Sequence, residues 1–179
     1  MSTFHFLNRY RYCPLCGSDR FVVSGGRSRR CEECGFELFQ NASASVAAFI
    51  VDGEDRLLVC RRAQEPAKGT LDLPGGFVDP DETLEQALER ELTEELGCRP
   101  RTAQYLFSLP NRYVWGEVLV PTTDCFFLCS LTAEAIPVAH DDVEAFSWIP
   151  LAEVNPAAFG LRSIAQAVRQ FLETYNHKQ

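Results

Sequence analysis

A mixed α/β body preceded by a small cysteine-built module is the fold class this chain predicts, and three observations predict it. Four of the eight cysteines fall in two close pairs within the first 40 residues. Two segments, 83–96 and 161–175, carry apolar residues at helical period. Between them lie short runs rich in branched and aromatic residues, which suit strands. A chain of 179 residues accommodates one principal domain of about 140 residues plus a small module, and the division is expected at 1–40 and 41–179.

The module comes first. Cys13-Pro14-Leu15-Cys16 and Cys31-Glu32-Glu33-Cys34 are C-x2-C pairs 14 residues apart, each followed directly by a glycine, Gly17 or Gly35. Paired knuckles of this kind resemble a zinc ribbon, in which Cys13, Cys16, Cys31 and Cys34 would hold Zn²⁺ tetrahedrally. About 40 residues bury little apolar surface, so the metal is expected to supply most of the folding free energy. Four cysteine ligands leave no open coordination position, which makes the zinc structural rather than catalytic. The amino terminus shows no charged-then-apolar export pattern, so disulfides are not expected and the location is expected to be cytoplasmic. Cys60, Cys98, Cys125 and Cys129 sit among apolar residues and read as core fillers.

In the body, Ser45–Val51 and Arg56–Arg61 flank the turn Asp52-Gly53-Glu54-Asp55 and are expected to form a hairpin. Lys68 to Gly76 reads as a short apolar strand running into Pro74-Gly75-Gly76, a turn whose backbone a ligand can approach closely. From Thr83 to Leu96 there is no Pro or Gly, and Leu, Ala, Glu, Gln and Arg predominate, all strong helix formers. Asp81 or Thr83 can cap the start, and Gly97 can end the helix in a left-handed conformation. Strands are expected at 105–109, 118–120, 123–131 and 145–149. From Leu161 to Tyr175, the stripe Leu161, Ile164, Ala165, Val168 and Leu172 gives a closing amphipathic helix.

The chemistry lies on the first helix. At roughly 100° per residue, Leu84, Leu88, Leu92 and Leu96 make one apolar stripe. Glu91 and Glu95 project beside it, with Glu94 further round. Carboxylates crowded at a core edge repel one another and resist desolvation, and Arg90 alone cannot balance three of them. Mg²⁺ or Mn²⁺, which favour oxygen ligands, meet the need, and the main-chain carbonyl of Gly76 would add a further oxygen.

The segment Gly76–Cys98, GFVDPDETLEQALERELTEELGC, has five residues between Gly76 and Glu82 and seven between Glu82 and Arg90-Glu91-Leu92-x-Glu94-Glu95-x-Gly97-Cys98. It resembles the Nudix box, with Cys98 where the pattern ends in a bulky aliphatic residue. The resemblance implies an α/β/α sandwich with a mixed sheet. It also implies hydrolysis of the pyrophosphate bond of a nucleoside diphosphate linked to another group. Glu91, Glu94 and Glu95 would then bind metal, with Glu82 supporting them and Arg90 orienting a carboxylate. Glu94 or a distal acid, Asp142 or Glu144, would accept the proton. Gly75 and Gly76 would lie against the substrate, Arg112 would hold a phosphate, and Tyr113 or Trp115 would stack on a base. A ribbon joined to such a domain is similar to the NADH pyrophosphatase and ADP-ribose pyrophosphatase branch, so ADP-ribose or an NAD(H)-like dinucleotide is the favoured substrate. After the box, however, the chain reads Phe107-Ser108-Leu109-Pro110-Asn111-Arg112-Tyr113-Val114-Trp115 in place of that branch's Ser-Gln-Pro-Trp-Pro-Phe-Pro-like signature.

Charge narrows the partners. Residues 1–40 carry a net +2 and the remainder −10, so the body's field repels nucleic acid and polyphosphate alike unless metal ions intervene. The expected partner is a small nucleotide, not nucleic acid, and no apolar run reaches the roughly 18 residues of a membrane span. A homodimer is left open. The alternative readings are a nucleoside triphosphate pyrophosphohydrolase, or a nucleotide-sensing regulator that binds nucleic acid through the ribbon.

Overall fold

The computed structural model describes residues 6–131 and 143–175. The chain divides into two compact units, residues 1–43 with 112–122, and residues 44–111 with 123–179.

The first unit holds a three-stranded antiparallel sheet, β1 (Phe21–Ser24), β2 (Ser28–Cys31) and β3 (Glu37–Phe39), in that order. Its core is small: Cys13, Phe21 and Cys31 are buried, with Tyr10, Phe36 and Leu38 packed against them. Arg29 works as internal structure, its guanidinium lying over the Phe21 ring and donating to the Leu7 carbonyl at 3.3 Å. Arg9 pairs with Glu117 at 2.8 Å within the same unit. That residues 112–122 group with the cysteine module is a feature the sequence did not signal.

The second unit is built on β4 (Ser43–Ile50), β5 (Arg56–Arg62), β6 (Leu71–Asp72), α1 (Leu84–Leu96), β7 (Pro100–Trp115), β8 (Val118–Leu131), β9 (Val143–Pro150) and α2 (Arg162–Tyr175). β7 and β8 run through both units. The strands order as β4-β8-β7 and β6-β5-β9, with β5 antiparallel to both its neighbours. Alternation along the strands divides the apolar residues between two cores. Ala47, Phe49, Leu57, Val59 and Phe126 join Ile164, Val168 and Phe171 of α2. Val46, Ala48, Ile50, Leu58 and Phe127 join Leu88, Leu92 and Leu96 of α1. Strands buried on both faces between helices make this unit the expected α/β/α sandwich. Cys60, Cys125 and Cys129 are buried fillers, while Cys98 is half-buried.

Three expectations are corrected. The hairpin of β4 and β5 does not form a ladder, because each strand is covered on both faces and takes its own neighbours, β8 for one and β6 and β9 for the other. What survives is the turn, closed by Asp52 N–H to Arg56 O at 3.1 Å and one bridge, Val51 to Leu57. The runs at 118–120 and 123–131 are one strand continuing through Pro121, and β7 is longer than expected at both ends. The buried stripe of α2 is turned about a residue from the expected one, and it centres on Ile164, Ala167, Val168 and Phe171. Phe171 stacks on Phe49 with ring centroids 4.1 Å apart, and that aromatic contact sets the helix rotation. Among the described residues no helix is long and apolar enough to cross a membrane.

Candidate active site

Helix α1 is fixed at both ends and along one side. Thr83 is its cap: the Thr83 hydroxyl accepts from Gln86 N–H at 3.2 Å, and the Gln86 side chain accepts from Thr83 N–H at 2.8 Å. Gly97 ends it at φ 69°, donating its N–H to Thr93 O at 3.0 Å. With Ala87, Leu88, Leu92 and Leu96 buried, the rotation is set, and Glu91, Glu94 and Glu95 are carried to the edge of the core.

The turn ahead of the helix is laced to β4. Ala48 N–H donates to Pro74 O at 2.8 Å, Val46 N–H to Gly76 O at 2.9 Å, and Val78 N–H to Ala44 O at 3.0 Å. Gly75 sits at φ 140°, and a Cβ there would lie 2.1 Å from Val46 O. At Gly76 a Cβ would lie 2.4 Å from a Glu91 oxygen, so the missing side chain is what lets the Glu91 carboxylate occupy its place. Glu95 reaches the same turn, accepting from Gly75 N–H at 3.0 Å. One lone pair of the Gly76 carbonyl is taken by Val46, which leaves the second for a ligand.

Arg90 organises the acids. It forks onto Glu82 through Nε at 2.8 Å and Nη2 at 3.0 Å, and Nη2 also donates to Phe77 O at 2.9 Å. Nη1 donates to Glu91 at 2.9 Å and to Glu94 at 3.2 Å. The Arg90 guanidinium holds the Glu82 carboxyl below the usual range. Glu91 shows the opposite effect: burial pushes its carboxyl up, Arg90 pulls it back, and the nearby charges of Glu94 and Asp79 raise it again. Even with Arg90 bound, Glu91 is a carboxylate short of positive charge. An all-oxygen donor set beside a turn that admits no side chain has the chemistry a hard divalent cation takes, although among the described residues only the four cysteines bring three or more ligand atoms within 4.8 Å of one another. Glu91, Glu94 and Glu95 are the residues that would hold it.

The four cysteines form a second donor set. Their sulfurs all lie within 4.8 Å of one another, with Cys13 to Cys34 at 3.7 Å and Cys16 to Cys31 at 3.6 Å. A tetrahedron with Zn–S bonds of about 2.3 Å has edges of about 3.8 Å, so the cluster is sized for structural zinc.

Other expected residues are dispersed. Arg112 and Tyr113 belong to the unit of the cysteines, not that of the carboxylates. Being adjacent in β7, they project to opposite faces, and Tyr113 shares its face with Trp115, ring centroids 6.4 Å apart. Asp142 lies outside the described residues, and Glu144 is placed in β9 by its backbone alone. Sequence reading missed Asp79, 3.9 Å from Arg90, and the pairing of half-buried Arg62 with buried Asp72, whose partners are distant enough in sequence to leave no local signal.

An α/β/α domain with a capped acidic helix beside a Gly-Gly turn is an arrangement that known proteins share. A profile of the NUDIX domain matches residues 42–171, and one of the NADH pyrophosphatase zinc ribbon domain matches residues 8–39. The chain belongs to the NUDIX family.

It is 34% identical over 121 residues to the NAD-capped RNA hydrolase NudC of Deinococcus radiodurans, covering 66% of this chain and 43% of that protein. The NudC of Haemophilus influenzae strain PittGG is 25% identical, covering 97% of this chain and 65% of the relative. The chain therefore spans about two fifths to two thirds of the length of these relatives. Among solved structures, a NUDIX hydrolase from Nitrosomonas europaea shares the fold, with TM-score 0.70, 22% identity and coverage of 95% and 94%. The NUDIX domain of Shewanella oneidensis NrtR, crystallised with ADP ribose, gives TM-score 0.60 at 25% identity, covering 76% of this chain and 90% of that one.

Proposed function

We propose that the chain hydrolyses the pyrophosphate bond of a nucleoside diphosphate linked to a second group, with ADP-ribose or an NAD(H)-like dinucleotide as substrate. The carboxylates of Glu82, Glu91 and Glu94 on Arg90, with Glu95 on Gly75 N–H, carry this reading. The NudC relatives and the ADP-ribose-bound NrtR domain support the substrate class.

Mg²⁺ or Mn²⁺, when bound by Glu91, Glu94 and Glu95, would neutralise the diphosphate and acidify a water. The chain's own residues do the rest. Gly75 and Gly76 let the substrate approach the backbone, Glu82 and Arg90 hold Glu91 in place, and the half-exposed Glu94 takes the water's proton, with Asp142 or Glu144 as the alternative base. Arg112 and Tyr113, which group with the cysteine unit, are assigned no contact in this site.

The substrate is a small nucleotide. Of the ribbon's six arginines, Arg9 and Arg20 are paired with Glu117 and Glu33, and Arg29 is turned to backbone carbonyls. Zinc-ligating and buried free thiols suit a reducing, cytoplasmic setting, and a homodimer is compatible with the reading.

Incubation with ADP-ribose, NADH and nucleoside triphosphates, each with Mg²⁺ and Mn²⁺, tests it. Release of AMP with ribose phosphate from ADP-ribose is expected; a nucleoside monophosphate with pyrophosphate from triphosphates alone would move the chain to the triphosphate class. Glu94→Gln and Glu95→Gln should each lower turnover by roughly 10²–10⁴-fold with the fold unchanged, and near-normal turnover in both removes the assigned site.

A further inference from the structure

We propose that Asp72 is a positioning residue for the Pro74–Gly76 turn, acting through Arg62 and through its grip on the chain at Leu73. The kinetic part of this inference rests on the proposed hydrolase reading; the positioning itself does not.

Asp72 is 7% exposed, and an ion at that depth costs stability unless it is fully partnered. Its Oδ1 accepts from Leu73 N–H at 2.8 Å, and its Oδ2 pairs with Arg62. Arg62 is itself pinned: Nε donates to Pro66 O at 2.7 Å, its N–H to Thr70 O at 3.0 Å, and its carbonyl accepts from Gly69 N–H at 2.8 Å. One guanidinium therefore ties the 66–70 loop to the residue where the chain leaves β6 for the turn.

A second buried acid lies behind the same turn. Asp124 on β8 is 6% exposed and accepts from the Ser45 hydroxyl at 2.7 Å, while Ser45 bridges Phe77 in the ladder that holds the turn to β4. The two acids feel each other: burial pushes the Asp72 carboxyl up, Arg62 pulls it back, and the Asp124 charge raises it. Cys60 links this cluster to the carboxylates of α1. It pairs with Asp72 in register, and burial, then the charges of Asp72 and Glu95, push its thiol up. Glu95 is the acid that holds Gly75 N–H.

A well-packed apolar pair in place of a buried ion pair is commonly neutral or stabilising, so stability alone is a poor reason for this arrangement. What directional charge adds is a fixed path for the backbone. Leu73 N–H and Gly75 N–H are held by two carboxylates, Asp72 at the start of the turn and Glu95 on α1.

The test uses the full chain with Asp72→Asn, which keeps the shape and the acceptor for Leu73 but loses the charge facing Arg62. Amide exchange followed by NMR should show Gly75 N–H exchanging at least about tenfold faster, with the amides of Leu92 and Val168 unchanged. Mn²⁺ affinity, titrated without substrate, should weaken about tenfold, and kcat should fall while KM stays near the parent value. A lowered Tm with parent-like Gly75 exchange and Mn²⁺ affinity would overturn the proposal and leave Asp72 a merely structural ion pair. Should Asp72→Asn fail to fold, Arg62→Lys, which retains the charge but loses the fork, is judged by the same exchange measurement. If the parent hydrolyses none of the nucleotides, the hydrolase reading falls, while Gly75 exchange still decides the positioning role.

Discussion

The cysteine cluster and the carboxylate cluster are both written in short local motifs, yet they are held together by different physics. In the first unit the two knuckles repeat one backbone pattern: Cys13 N–H to Ser18 O and Cys31 N–H to Phe36 O, both 2.8 Å, with Gly17 and Gly35 closing each turn at positive φ. Among the described residues the buried cluster around them is Cys13, Phe21 and Cys31, with Leu7 buried nearby in the chain, while Val22, Val23 and Phe39 of the sheet are exposed. Apolar burial on that scale cannot offset the ordering of some 40 residues. In the second unit the sheet is covered on both faces, and Arg90 orients the acids using only protein contacts. In one region the proposed zinc would make the fold; in the other the fold makes the proposed ion site.

Removing zinc breaks the comparison hardest. Structural zinc supplies about 10–16 kcal/mol of apparent binding free energy in small domains, so chelation or Cys31→Ser should abolish amide protection in β1, β2 and β3. Protection in β4, β8 and α1 should persist, as hydrogen exchange on the full chain would show. A first unit still protected after verified zinc loss would put both regions in the same class. Gly76→Ala probes the other side. Its Cβ would meet the Glu91 carboxylate at 2.4 Å, so the fold should survive while turnover drops about 10²-fold from displaced ligands. Mn²⁺ titration, with near-UV circular dichroism for the fold, checks both halves of that statement.

How much of this was legible before any coordinates follows the same division. The knuckles, the stop at Gly97 and the stripe of α1 are set by residues within a few positions of one another and are legible in the sequence, which also narrows the cap to Asp81 or Thr83, of which the fold uses Thr83. Spacing could not show that β4 and β5 part company, because strand pairing is decided by which neighbours cover each face. Nor could it rotate α2 correctly, since Phe171 is recruited by Phe49, 122 positions away. In the site, the acids beside the leucine stripe were readable from helical geometry. The forked grip of Arg90 on Glu82, the ion pair of Arg62 with buried Asp72, and buried Asp124 were not, as each depends on contacts that only the folded chain brings together.

The claim that the carboxylate region stands on its own core is sharpened by Leu92→Ala. Leu92 is fully buried in the cluster that joins α1 to β4 and β8, and truncation leaves a cavity that a sheet covered on both faces cannot easily collapse. A loss of about 2–5 kcal/mol in denaturant unfolding is expected, with β1–β3 exchange unaffected. A loss below about 1 kcal/mol would mean that the acidic helix is not anchored by its stripe.

The smallest effect concerns a turn that neither metal nor core holds. Asp52 accepts from Glu54 N–H at 3.0 Å and Arg56 N–H at 2.9 Å, and it pairs with the Arg56 guanidinium at 2.7 Å. Burial pushes the Asp52 carboxyl up, but Arg56 and these two N–H groups outweigh it and hold it below the usual range. A carboxyl whose folded pKa is depressed adds stability above its unfolded value, roughly 3.9, and that stability is lost as pH falls through the lower folded value. Asp52→Asn should therefore lower Tm at pH 7 by about 2–4 °C, by a constant amount down to about pH 4, with the gap closing below that. A gap that persisted unchanged at low pH would assign the loss to geometry of the turn instead of charge, because only the ionised carboxylate can lose its advantage by protonation.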